Sequence, residues 1–192
     1  LVALARVERG SGETDTYFLP LTLAWEDHDD ALMRALAAAT IAKVRQQAQV
    51  GVLADALADE DFVRALVAAT GAALELKAAR GRLRFRPTAA FAGIAGAEHA
   101  SLPVSVPTAQ SSNTVVVLDD RLFVKAYRRL QAGMNPEVEI GRYLTDVAHF
   151  PHAVPVAGSV DYLADDGQIA TLALIQGYVQ NQGDGWDHTQ SY

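Results

Sequence analysis

The stretch 113-NTVVVLDDRLFVKAY-127 decides how this chain is to be read. Residues 113–120 carry β-branched side chains and run into an Asp119-Asp120 turn. Residues 121–127 then alternate in the way of a returning strand. The period of two sets Lys125 on one face, with Val124 and Ala126 on the other. Downstream, Asn135-Pro136-Glu137 opens a helix, with Pro at the first helical position and acids in the first turn. That helix is predicted to run to about Val147 through Ile140, Tyr143 and Leu144. A second hairpin follows: VPVAGSVDYL (154–163), an Asp165-Asp166-Gly167 turn and IATLALIQGYV (169–179). With LPVSV (102–106) placed before the first hairpin, the order is strand, strand, strand, helix, strand, strand.

Working outward to the N-terminus, LVALARVE (1–8) and TDTYFLPLTLAW (14–25) read as an antiparallel pair around the GSGE turn at 10–13. Tyr17, Leu19, Leu21 and Leu23 fall on one side of the second strand. An alanine-rich short helix is expected from Ala31 to about Ala39. Residues 41–46 and 49–57 fit either two strands or a strand and a helix entry. Asp59, Glu60 and Asp61 mark a helix N-terminus, and Phe62, Leu66 and Val67 form its apolar stripe up to Gly71. GRLRFRP (81–87) is a strand with Arg82, Arg84 and Arg86 on one face, and with Lys77 and Arg80 nearby. Such a basic run reads first as a solvated face and second as a docking face for an acidic partner. The small, unpatterned residues at 88–103 suggest a boundary between subdomains of 1–99 and 100–192.

The 192 residues carry 16 Lys and Arg against 23 Asp and Glu, a formal net charge of −7. That balance argues against nucleic acid and anionic membranes as partners. With no Cys, disulfide frameworks, thiolate metal sites and cysteine nucleophiles are excluded. The five His show no metal-site spacing, so no metal ligands are assigned, and no G-x-S-x-G elbow occurs. No apolar run approaches the ~20 residues of a membrane span, and the N-terminus has no secretory pattern. The chain begins at Leu1 rather than Met, so a cytoplasmic fragment of a longer protein is expected.

The strings SSNTVVV, DRLFVKAYRRL, NPEVEIGRYL, FPHAVPVAG and LALIQGYVQNQGDGW, in this order, resemble the maltokinase family. YFLPLTLAWED and ATIAKVRQQAQVGVLADALADEDFVRALV resemble that family's N-terminal cap, most closely the form fused behind a trehalose synthase. The resemblance implies an α+β fold: a cap subdomain with a curved antiparallel sheet and helices, then a protein-kinase-like N-lobe ending in the hinge. The helical C-lobe is expected to be absent, because no H-G-D or D-F-E string occurs. Maltokinases transfer the γ-phosphoryl of ATP to the anomeric hydroxyl of maltose, giving maltose 1-phosphate for α-glucan synthesis. The implied partners are therefore ATP, maltose and a trehalose synthase domain or subunit.

By the same resemblance, Lys125 meets the α- and β-phosphates, and Glu139, on the helix that follows, holds it. Glu137 lies about 200° around the helix from Glu139, so only one of the two acids can face Lys125. Glu137 is expected to serve the helix N-terminus alone. Ser111, Ser112 and Asn113 would donate to phosphate oxygens, and Gln176 and Tyr178 would form the adenine-reading hinge. Arg128 and Arg129 could reach phosphates, but they read first as solvated charges at a turn. The catalytic Asp and the Mg²⁺ ligands are expected in the missing C-lobe, so no kinase activity is expected of these residues alone. The competing readings are a non-catalytic module docking a carbohydrate enzyme through the arginine face, and a small-molecule kinase of the aminoglycoside or methylthioribose type.

Overall fold

A computed structural model gives the architecture and describes residues 1–27, 30–107, 112–181 and 189–190. The chain is α+β, mostly antiparallel sheet with few helices. No described helix is long and apolar enough to cross a membrane.

The first sheet contains β1 (Val2–Glu8), β2 (Thr14–Trp25), β3 (Thr40–Gln46) and β4 (Gln49–Asp55) in the order β1-β2-β4-β3. The open choice at 41–57 thus resolves as two strands, joined through Gln47 at φ 56°. The short helix α1 (Asp30–Ala35) links β2 to β3. On β2 the buried side is the even-numbered one, Phe18, Pro20 and Ala24, while Leu23 on the opposite side is 51% exposed. Alternation alone identifies the two faces of a strand, and the neighbouring elements decide which is covered.

Helix α2 (Glu60–Gly71) starts where its acids place it. Asp59 caps it by accepting from the backbone N–H of Asp61 (3.1 Å), and its other oxygen accepts from the Thr22 hydroxyl of β2 (2.9 Å). Val63, Leu66 and Val67 are buried along one stripe.

The second sheet has seven strands, all antiparallel to their neighbours. They are β5 (Glu75–Lys77), β6 (Arg82–Pro87), β7 (Val104–Ser105), β8 (Thr114–Leu118), β9 (Leu122–Ala126), β11 (Val156–Leu163) and β12 (Ile169–Gly177). Their order is β5-β6-β11-β12-β9-β8-β7. The β8–β9 hairpin turns on Asp119 and Asp120, both with positive φ, the left-handed pair that a type I′ turn requires. The short helix α3 (Phe91–Ala95) follows β6, and β10 (Arg129–Leu130) lies between β9 and α4 (Pro136–Arg142). A single π-turn, Tyr143–Val147, extends α4 to the length expected of it.

The boundary expected at 99/100 falls within one hydrogen-bonded sheet. β6, from the N-terminal side, pairs along β11 from Gly158↔Pro87 to Leu163↔Arg82. In the reverse direction, β10 adds to the first sheet through Arg129↔Tyr17 and Leu130↔Thr16. One apolar cluster joins Phe18, Leu57 and Val63 to Val116, Val124 and Ile175 across the same point. Each such side chain contributes roughly 1.5–3 kcal/mol on burial, which makes the two halves energetically interdependent.

The arginine face of β6 is occupied from within the chain. Arg82 (2.7 Å) and Arg84 (3.1 Å) both reach Glu75 of β5, and Arg86 lies 3.7 Å from the buried Asp161 of β11. The hydrogen bonds from Arg82 and Arg84 hold the Glu75 carboxyl below its ordinary value of 4.5. A carboxyl that is more acidic in the folded state adds stability above its unfolded pKa and loses it as pH falls. The contribution of Glu75 to the thermal midpoint is therefore expected to be constant above about pH 5 and to be lost as pH falls below about 4.5. Glu75→Gln should make that acid limb shallower. An unchanged acid limb in circular-dichroism melts of this variant would contradict the assignment.

Candidate functional site

Helix α4 is rotated so that Val138 packs into a small cluster with Tyr127, Val156 and Leu174. Gly141, one turn on, meets Val156 so closely that a Cβ there would sit 2.6 Å from its Cγ2. With Val138 facing the sheet, its neighbours Glu137 and Glu139 project about 100° to either side. β9 lies on the Glu137 side. Lys125 Nζ consequently donates to Glu137 Oε2 at 2.7 Å and Oε1 at 3.0 Å. The pairing expected with Glu139 is thus corrected: Glu139 is exposed and shares no hydrogen bond with Lys125. Helix geometry keeps the two acids from both facing the lysine. Which of them does so depends on how Val138 seats, and that is a tertiary contact.

A third member completes the group. Tyr127 follows Lys125 by one full strand period and so shares its face. It donates its hydroxyl to Glu137 Oε2 at 2.8 Å. The Tyr127 ring centroid is 5.4 Å from Lys125 Nζ. That separation is within cation–π range. Burial, then the Glu137 hydrogen bond and the charge of that carboxylate, push the Tyr127 phenol well above its ordinary range. Tyr127 is therefore a proton donor at any physiological pH. Sequence reasoning passed over it, although its i, i+2 spacing from Lys125 was a legible signal.

These side chains border a cleft of about 470 Å³. Ser112 and Asn113 form one rim, Arg129 another, and the loop 131–135 leads to Asn135, which caps α4 by accepting from the Glu137 N–H at 2.9 Å. Among the residues expected to serve one site, the structure brings together Lys125, Ser112 and Asn113. Ser111 lies outside the described residues. Gln176 and Tyr178 stand at the far end of β12, beyond Leu174, the cross-strand partner of Lys125, and do not line the cleft. The Tyr178 N–H is already given to the Arg121 carbonyl at 2.9 Å.

Arg128 is not the solvated turn charge expected, whereas Arg129 is exposed as expected but held by an ion pair. Arg128 pairs with Asp55 of β4, donates to the Thr114 hydroxyl at 2.8 Å, and its side chain is only 20% exposed. Arg129 points the other way, as the next residue of an extended chain must, and reaches Asp15 of β2.

The far end of α4 is tied down by Arg142, which donates to the carbonyls of Arg86 (3.0 Å) and Pro87 (3.1 Å). Burial first, and then the nearby Arg86 charge, lower the pKa of Arg142, against the opposing pull of Asp146 and Asp161. Asp161 accepts from the Thr171 hydroxyl at 3.0 Å, and Thr171 also lines the cleft.

An exposed ion pair contributes roughly 0.2–1 kcal/mol, so the Lys125–Glu137 pair does little to hold the fold. What the arrangement provides is a fixed ammonium. Glu137 meets the ammonium through both of its oxygens, and a group with three N–H donors can also meet an anionic oxygen in the cleft. Among the described residues no group of three or more His, Asp or Glu is placed to hold a metal ion. Compared with models of known protein families, the chain matches none.

Proposed function

We propose that this chain is the nucleotide-covering part of an ATP-dependent maltokinase, with the polyphosphate lying in the cleft above Lys125. The observation that carries the reading is the Lys125–Glu137–Tyr127 group beside the Ser112–Asn113 rim. It is a cation held by a helix carboxylate next to a hydroxyl- and amide-bearing turn. A cleft of about 470 Å³ is in the size range of ligand sites, and its polar rim suits phosphate oxygens more than an apolar ligand.

In this reading ATP supplies the transferable phosphoryl group when bound. The residues of this chain bind and orient it. Lys125 neutralises the α- and β-phosphates as a point charge, and Glu137 keeps the ammonium from swinging into solvent. Tyr127 fixes the carboxylate by donating to the oxygen nearest the lysine. Ser112 brings a hydroxyl to the opposite rim, which it shares with Asn113. The described residues offer no group of three or more His, Asp or Glu that could hold Mg²⁺. The arginine face of β6 is already engaged by Glu75 and Asp161, which weighs against its use as a docking surface.

Titration of the isotope-labelled chain with ATP tests the reading. Chemical-shift changes are expected to centre on Ser112, Asn113, Lys125 and Tyr127. Binding that perturbs a different surface, or no binding at millimolar ATP, would overturn it. With the catalytic half supplied in the longer protein, ATP-dependent phosphorylation of maltose distinguishes a maltokinase from an aminoglycoside or methylthioribose kinase.

A further inference from the structure

The cleft contains a second cation, and its electrostatic situation differs from that of Lys125. Glu137 cancels the lysine charge one for one. Arg129 instead shares a single carboxylate with another arginine: Asp15 pairs with both Arg9 and Arg129. Arg9 also lies 3.8 Å from Glu13, so the group carries two guanidiniums and two carboxylates. What sets Arg129 apart is its exposure on the rim of the cleft.

The geometry of the shared pair leaves the arginine available. Arg129 Nε (2.9 Å) and Nη2 (2.7 Å) both approach Asp15 Oδ1, so one edge of the guanidinium is committed. A guanidinium has five N–H donors, and those on Nη1 are not used by Asp15. The Arg129 side chain remains 60% exposed, whereas that of Asp15 is only 10% exposed. A nearly buried carboxylate thus grips one edge of an arginine whose other edge is open to solvent and lines the same cleft as Lys125.

The backbone explains how the residue gets there. β10 pairs with β2 at Arg129↔Tyr17, and the Arg128 carbonyl accepts from the Phe18 N–H at 2.9 Å. This pins the two arginines in extended conformation, so their side chains leave on opposite sides. Arg128 goes to Asp55 and Thr114, and Arg129 goes to the cleft. The aiming residue belongs to the N-terminal sheet, 114 positions away in sequence.

We propose that Arg129 is a second polyphosphate-binding cation of the cleft and that Asp15 of the N-terminal sheet is the positioning residue that aims it. This rests on the nucleotide reading of the cleft. Its consequence is that the N-terminal sheet acts on ligand affinity through one ion pair. Planar, bidentate recognition is what distinguishes an arginine from a lysine in such a role, one edge serving Asp15 and the other a phosphate.

The test is binding of inorganic tripolyphosphate, ATP and adenosine to the full chain, followed by NMR. Arg129→Gln is expected to weaken tripolyphosphate and ATP about tenfold and to leave adenosine unchanged, as loss of one charge-assisted contact predicts. Asp15→Asn separates aiming from simple charge. Removing a negative charge near the cleft should tighten anion binding if Asp15 only screens Arg129, and weaken it if Asp15 holds Arg129 in place; weakening is expected. Arg129→Lys keeps the charge but loses the planar fork, so it should also weaken tripolyphosphate binding, and it reads the same point if Asp15→Asn does not fold. If ATP binds at Lys125 and Arg129→Gln changes affinity less than twofold, the inference fails and the nucleotide reading stands. If tighter binding follows Asp15→Asn, the positioning role fails. If neither phosphate ligand perturbs the cleft, both readings fall together.

Discussion

Lys125→Met is expected to weaken ATP binding by roughly 10- to 100-fold, with little change in the thermal midpoint. A hydrogen bond to a charged partner is worth about 1.5–3 kcal/mol, and at about 1.4 kcal/mol per factor of ten that gives the stated range. Met keeps the apolar stem against the strand, so packing is preserved. The paired acids make the sharper comparison. Glu137→Gln removes the carboxylate that receives both Lys125 Nζ contacts and the Tyr127 hydroxyl, so ATP affinity should fall about tenfold. Glu139→Gln alters an exposed side chain on the far flank of α4 and should fall within twofold of the unmodified chain. Calorimetric titration of the three variants with ATP is sufficient. Equal effects at 137 and 139, or a larger effect at 139, would show that α4 rotates on nucleotide binding, contrary to the pairing described above.

Arg128→Met should cost about 2 kcal/mol of stability and lower the melting midpoint by roughly 4–8 °C for a chain of this length. The side chains of Arg128 and Asp55 are 20% and 21% exposed, so removing one partner strands the other charge in a site with little water. Arg128 also supplies the donor to Thr114 at the start of β8, and both contacts tie the first sheet to the second. A fully buried pair would lose about 3–5 kcal/mol, and the residual exposure brings the value down. Arg82→Gln serves as the control, since its partner Glu75 is well exposed and a surface pair contributes under about 1 kcal/mol. A midpoint shift no larger for Arg128→Met than for Arg82→Gln would show that the two sheets are held by apolar contacts alone.

Much of the local structure could be read directly from the residues. The β8–β9 hairpin, the Asp59-capped helix ending at Gly71, and Asn135-Pro136 as a helix start all rest on groups within a few positions of one another. Alternation and capping are short-range interactions, and they leave short-range traces in composition. Even the mutual exclusion of Glu137 and Glu139 before Lys125 followed from helix geometry alone.

The sequence by itself therefore determined the main hairpins and the two capped helices with their approximate ends. It left residues 41–57 open and did not mark β5, β10 or α3, and the lysine strand facing a glutamate helix rested on the resemblance. The tertiary structure alone decided which acid meets the lysine, because seating Val138 against Tyr127, Val156 and Leu174 sets the rotation of α4. It also decided that β6 joins β11 across the expected boundary and that two adjacent arginines serve Asp55 and Asp15, 73 and 114 positions away. Contacts at such separations form when strands find their partners in space. No periodicity along the chain encodes which distant strand that will be.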